Sequence, residues 1–295
     1  DARIWSVAPG RDQQQRLVRV RKSITRVAWN GTQPVVSEAA RAWTGSIDDQ
    51  DLSDDELVAA REDALALMTP STFEDREYAF ALAPEVVARV LDAIVPALLT
   101  STAARRPEVA TRLAVGTRVL ATSLTLVDDP GAAHAYGGYR FDDAGEPATP
   151  QTLIDSGVIA ARISRVRRPG HVGRAEPLSS HLRLAPGTAD AGKLLDNGFL
   201  LEGPLDASID PASGRLSIVV ARARERAAGK RTGRQYADIE LVGDLATVLG
   251  SITAASKQTR TIGARTELDG QPCWRSVEAP WLVGKGLLRV RRRPT

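Results

Sequence analysis

Polar and apolar positions change period several times along the chain. Between residues 13 and 43 they alternate as in strands: Leu17, Val18 and Val20 lie among Arg16, Arg19 and Arg21, and Ile24, Val27, Ala28 and Trp29 follow. Asn30-Gly31 is a hairpin signal, because both central residues of a type I′ turn need positive φ. Residues 35–43 then form the return strand, and the arginines line one solvated basic face. The acidic run Asp48, Asp49, Asp51, Asp54, Asp55 and Glu56 contains a capping box, Ser53-x-x-Glu56. It predicts a helix over 54–68 with Leu57, Ala60, Ala64 and Leu67 on one face. These acids read as a helix start and lack the glycine of a calcium loop.

A strand is expected over 78–82. Pro84 then opens a helix at its favoured first position. Val86, Val87, Val90, Leu91, Ile94, Val95, Leu98 and Leu99 form a wide apolar stripe, so this helix is expected to be largely buried. Pro96 is expected to bend it or open its last turn. Residues 101–117 are polar and partly helical at most.

Residues 119–157 organise the rest: a strand, a turn at Asp128-Asp129-Pro130-Gly131, a short strand, an acidic turn at Asp142-Asp143-Ala144-Gly145, and another strand. Both Asp pairs fall in turn signals, which favours turns over paired catalytic carboxylates. A hairpin is expected over 153–163 through Asp155-Ser156-Gly157. Residues 164–181 are basic and glycine-rich and read as a partner-contacting loop. Further strands are expected at 181–184, 199–205, 215–226 and 235–242, with a turn over 210–214 and a loop over 227–233. Short helices are expected before Asn197-Gly198 and over 244–252, and two strand-like pieces over 273–290, before a frayed basic tail.

Composition narrows the class. The chain has 295 residues, 43% hydrophobic and 25% charged, as in ordinary globular proteins. No apolar run reaches the roughly 20 residues of a membrane span, and no signal peptide is visible. One cysteine, Cys273, excludes an internal disulfide and fits a reducing, cytoplasmic compartment. The net charge of +3 does not by itself call for nucleic acid. The three histidines, His134, His171 and His181, form no helical pair. His171 and His181 read as surface histidines, and His134 as a turn residue. No Ser/His/Asp grouping, Cys/His pair or phosphate loop is legible.

Several segments, in order, resemble the TldD/PmbA family, which contains the paired subunits TldD and TldE (PmbA) of a bacterial metallopeptidase. They are Tyr136-Gly137-Gly138-Tyr139-Arg140-Phe141-Asp142-Asp143, then Thr152-Leu153-Ile154-Asp155, Ser180-His181-x-x-x-x-Pro186-Gly187, and Asp210-x-x-Ser213-Gly214-x-Leu216-Ser217. His181 stands where the family usually has Asn. The resemblance implies an α+β, strand-rich fold, with a strongly curved mixed or antiparallel sheet and a few packed helices. It reads residues 1–70 as the family's connecting region and 71–295 as its C-terminal domain. The family's N-terminal domain and a starting methionine are missing, so the chain reads as the back part of a longer protein or a separate subunit.

In TldD, a His-Glu-x-x-x-His motif holds zinc on the helix matching residues 84–99. Here that helix offers Asp92 and Ala93, with neither histidine nor glutamate at the motif. Cys273 departs from the family's Cys-Gly pattern and reads as a packed, inert thiol. The resemblance therefore implies the zinc-less TldE-like half. No catalytic, cofactor-binding or metal-ligating residue is expected in this chain, and zinc is expected in a TldD-like partner. Such a pair would act on extended, unfolded peptides or peptide-derived precursors. A nucleic-acid or gyrase-associated module is the alternative, resting on arginines 222, 224, 226, 231 and 234 with Lys230. A metal-independent enzyme would have only His134 as a candidate.

Overall fold

Alternating segments become paired strands because each backbone N–H and C=O removed from water needs a partner. The computed structural model describes residues 2–8, 11–30, 33–66, 68, 72–142, 146–164, 178–268 and 271–291. In chain order, the first elements are β1 (Ala2–Ala8), β2 (Arg11–Leu17), β3 (Arg19–Asn30), β4 (Gln33–Thr44), α1 (Asp54–Ala66), β5 (Arg76–Leu82) and α2 (Pro84–Leu98). Next come α3 (Pro107–Arg112), β6 (Leu126–Asp128), β7 (Gln151–Asp155), β8 (Val158–Ile159), β9 (His181–Leu184) and β10 (Gly198–Ile209). The chain continues through β11 (Arg215–Ala227), β12 (Lys230–Asp244), α4 (Leu245–Gly250), β13 (Ala254–Leu268) and β14 (Gln271–Val290).

The main sheet runs β12-β11-β10-β5-β14-β9-β6-β7-β8, with β13 on the other edge of β14. β12 also pairs with the end of β14, where Ile239 faces Val290. The pairings β12–β11–β10–β5–β14 therefore close into a ring, which is the strong curvature expected from the sequence. The sheet is mixed: β10 runs parallel to β5 and β14 parallel to β9. β1–β2 and β3–β4 form two separate antiparallel hairpins. In the second, Asn30 lies opposite Gln33, and the residues between fall outside those described.

Pro84 occupies the first turn of α2, and Val86, Val87, Val90, Leu91, Ile94, Val95 and Leu98 are each at most 5% exposed. Burying each such side chain contributes about 1.5–3 kcal/mol. The helix packs on β10, β13 and β14. It runs through Pro96, and its last turn stays closed, with Leu99 N–H donating to the Val95 carbonyl at 2.9 Å. The capping box of α1 forms as expected. Ser53 N–H donates to Glu56 Oε2 at 2.8 Å, and Glu56 N–H to Ser53 Oγ at 3.4 Å. Ala60 and Ala64 are buried as expected, Leu57 is half-buried, and Leu67 lies outside the described residues.

Several expectations are corrected. β1 and most of β2 go unread because the run Arg11-Asp12-Gln13-Gln14-Gln15 carries no apolar alternation. The strand expected from residue 119 shrinks to β6. The backbone before it is drawn into the β7–β8 turn instead: Val119 and Leu120 N–H donate to the Gly157 carbonyl, and Gly157 N–H to the Leu124 carbonyl. The short strand expected at residues 136–141 is a turn, with only an isolated bridge at Phe141. The loop expected over 227–233 is a tight turn at Ala228-Gly229, with β12 resuming at Lys230. β13 was hidden by its polar run from Lys257 to Thr261. The two pieces expected after Cys273 are a single strand, β14. Residues 165–177 of the basic loop, with His171, and residues 292–295 of the tail lie outside those described.

Candidate functional site

A groove of about 1000 Å³ runs along the N-terminal half of α2. Glu85, Ala88, Arg89 and Asp92 of α2 line one side, and Ala59 and Ala60 of α1 another. The space exists because small residues meet there, among them Gly203, Ala221, Gly263 and Ala264. Residues 36–40 of β4 and 262–264 of β13 border it. Each of these strands pairs with a single neighbour in the sheets.

The groove's charged groups are paired. Asp92 lies 3.5 Å from Arg275, and burial pushes its carboxyl above the ordinary value while Arg275 and Arg89 pull it back. Burial likewise raises Glu85, against the nearby Arg260 at 3.8 Å. Glu56 sits between Arg41, at 2.8 Å, and Arg260. α1 is thus bolted over the groove by ion pairs.

The donor set at α2 does not fit zinc. Zinc needs three or four imidazole, thiolate or carboxylate ligands converging on a point. The groove face of α2 supplies two carboxylates, Glu85 and Asp92; only Asp92 is beside the motif position, and it lies in an ion pair 3.5 Å from Arg275. Among the described residues, no three His, Cys, Asp or Glu side chains gather where they could hold a metal ion. Cys273 is buried, and the next residue, Trp274, lines the groove. Successive strand residues face opposite ways, so the thiol points away from the groove.

The organising segment acts as a clamp. Asp128 is buried and its Oδ1 accepts the N–H groups of Ser180 at 2.9 Å and His181 at 3.0 Å. Asp129 pairs with Arg183 at 2.9 Å. A Cβ on Gly137 would lie 1.9 Å from the Ser180 carbonyl oxygen, so only glycine lets these backbones meet. Arg19 anchors β3 here, donating to the carbonyls of Tyr136 and Gly138 and stacking over Trp274 at 4.6 Å. Of the second acidic turn, Asp142 accepts the Glu146 N–H at 3.0 Å, and residues 143–145 lie outside those described. Asp210 closes its hairpin by accepting from Ser213 Oγ at 2.6 Å, a hydrogen bond that holds its carboxyl below the ordinary value.

Two histidines that are 47 residues apart in the chain fall together in the fold. His134 and His181 line a second cleft of about 490 Å³. His181 is only 3% exposed, which corrects its reading as a surface residue: β9 is enclosed between β6 and β14. Its Nδ1 lies 2.8 Å from Ser276 Oγ, and burial lowers its pKa.

The arginine-rich hairpin is exposed at its tip, where Lys230, Arg231 and Arg234 lie, but its inner arginines are not part of a basic surface. Arg222 is 1% exposed and lies 2.9 Å from Glu62, while Arg224 pairs with Glu202 and Glu62. Arg226 donates to the Gly192 carbonyl, and Arg234 lies 3.8 Å from Glu225. Among the described residues, no helix is long and apolar enough to cross a membrane.

Residues 75–286 match the family model described as the PmbA/TldA metallopeptidase C-terminal domain. In sequence, the chain is similar to the metalloprotease MJ0996 of Methanocaldococcus jannaschii, 24% identical over 173 residues that span 53% of this chain and 38% of that protein. In structure, it is similar to TldE from Thermococcus kodakarensis, with a TM-score of 0.70 and 16% identity over 95% of this chain and 64% of that one. It is also similar to a protein described as a modulator of DNA gyrase from Bacteroides thetaiotaomicron, with a TM-score of 0.71 and 18% identity over 96% and 62%. The chain thus spans less than two thirds of each of these relatives.

Proposed function

Because the chain belongs to the PmbA/TldD metallopeptidase family, we propose that it is a zinc-less, TldE-like subunit, working with a metal-bearing TldD-like chain. One observation carries this reading. The helix that would hold zinc in a TldD-like chain presents Ala88, Arg89 and Asp92 to an open groove, and Asp92 is tied to Arg275.

In this reading, water activation belongs to the partner, and no residue of this chain takes part in it. The chain contributes a wall of the substrate chamber. An extended peptide suits a groove bordered by β4 and β13, because a strand with one free edge offers backbone donors and acceptors along its length. Residues 1–70 serve as the connecting region, which lends α1 and β4 to the groove, and residues 71–295 as the C-terminal domain that supplies its other walls. The cytoplasm is the expected compartment.

In the arginine-rich hairpin, Arg222 and Arg224 are committed to carboxylates inside the protein, which leaves the exposed Lys230, Arg231 and Arg234 as the cations a nucleic acid would have to meet.

Capture of the tagged chain from its native cell, followed by sizing and peptidase assay, tests the proposal. We expect a stoichiometric TldD-like partner and peptide cleavage only in the complex. Cleavage by the isolated chain, or salt-dependent DNA binding without a partner, would overturn it.

A further inference from the structure

The second cleft has a donor set of its own. Arg41, Arg183 and Arg260 line it together with His134 and His181, against one carboxylate, Glu278. That carboxylate is already engaged: Thr259 Oγ1 donates to one oxygen at 2.7 Å, and Arg183 Nε to the other at 3.3 Å.

Among the described residues, several donors at this cleft are uncommitted. Arg41 meets Glu56 through Nε alone, leaving both terminal nitrogens of its guanidinium unengaged. Arg183 uses Nε on Glu278 and Nη1 on Asp129, leaving Nη2. Donor counting sets the tautomer of His181. Ser276 Oγ accepts the Gly137 N–H at 3.1 Å, and its one other partner among the described residues is His181 Nδ1 at 2.8 Å, so giving its hydrogen to that nitrogen is the arrangement that leaves no donor unmet. The imidazole hydrogen then sits on Nε2, whose nearest carboxylate oxygen, on Glu278, is 4.0 Å away. That is beyond hydrogen-bond reach. The site thus combines two guanidinium groups and a neutral N–H donor, in a partly dehydrated cleft of the size small ligands occupy.

We propose that this cleft binds a small oxyanion, a carboxylate or a phosphate, between Arg41, Arg183 and His181. Guanidinium groups pair with such oxygens through charge-assisted hydrogen bonds. The His181 N–H adds a donor whose direction is fixed by Ser276. This site lies across β13 from the groove, with Arg260 lining both, and does not depend on the peptidase reading.

Titration of the full chain, with histidine imidazoles labelled with ¹⁵N, tests this. The probes are inorganic phosphate, N-acetylglycine and N-acetylglycinamide. Saturable shifts of the His181 Nε2 signal with phosphate or with N-acetylglycine, and none with the uncharged amide, support the site and identify the oxyanion. R41Q is expected to weaken binding at least about tenfold, and R183Q likewise, each with an unchanged circular dichroism spectrum. Should R183Q not fold, R41Q alone decides. No saturable shift with either anion, an equal response to the amide, or affinity unchanged in R41Q would overturn the proposal.

Discussion

The Arg222 guanidinium lies 2.9 Å from the Glu62 carboxylate, although 160 residues separate them in the chain. Arg222 is 1% exposed on β11, whereas Glu62 is 43% exposed on α1. The two ends of this pair should respond differently. Removing Arg222 opens a cavity in the core and frees α1 of one tie, while Glu202, 3.8 Å away, keeps its two hydrogen bonds from Arg224. Arg222→Ala is expected to cost about 2–5 kcal/mol in urea denaturation, and Glu62→Gln, on the water-screened side of the pair, about 1 kcal/mol or less. Equal small losses would mean that the pair does not hold α1.

Gly137 is expected to tolerate no side chain. Its Cβ would fall 1.9 Å from one backbone atom, the Ser180 carbonyl oxygen, and 2.9 Å from another, the Arg275 Cα. Overpacking typically costs 1–3 kcal/mol, and with backbone on both sides Gly137→Ala should reach about 3 kcal/mol. Gly192→Ala serves as its control, since nothing lies within 4 Å of that Cβ. It should leave the melting temperature unchanged or slightly raised.

How much of this was legible in the sequence depends on where each pairing partner lies. Pro84 and the apolar stripe after it announced α2, and Ser53-x-x-Glu56 announced the start of α1, because both signals are local. β13 was not legible: its polar residues fit an outer strand whose place is set by β14. The burial of His181 was equally hidden, because Asp128, Ser276 and β14 supply its surroundings from distant parts of the chain. Arg222 and Arg224 read as a basic surface because their acids, Glu62 and Glu202, belong to other elements. The lack of imidazoles along α2 is visible in the sequence, whereas the groove beside that helix is not, because its walls come from distant segments.

Acid should release α1. Burial alone would raise the Glu56 carboxyl, but the hydrogen bond from Arg41, the Ser53 N–H and the charge of Arg260 outweigh it and hold the pKa below its ordinary value of 4.5. A carboxyl depressed in the fold contributes stability above its unfolded pKa and loses it as pH falls through the folded value. Stability measured by urea at stepped pH should therefore fall below about pH 4.5, and Glu56→Gln should flatten that part of the profile. An unchanged profile in the variant would show that Glu56 is not the group responsible.

His181 should set a second limb at higher pH. Burial lowers its pKa from 6.5, against the pull of Glu278 and Asp129 and with the help of Arg183. The unfolded chain then binds the proton more readily than the fold. Stability should fall as pH drops below about 6.5 and level off beneath the folded pKa. His181→Gln should remove this limb and leave the acid one, as read by the same denaturation series. A limb that persists in the variant would assign it elsewhere.

The account rests most heavily on α2 carrying no metal chemistry. Zinc titration of the isolated chain by calorimetry, followed by metal analysis of a complex reconstituted with the proposed TldD-like partner, tests this directly. The account predicts no stoichiometric zinc on this chain and about one per complex, unaffected by Asp92→Asn or Cys273→Ser. Tight, stoichiometric zinc on the isolated chain, lost in either variant, would contradict it.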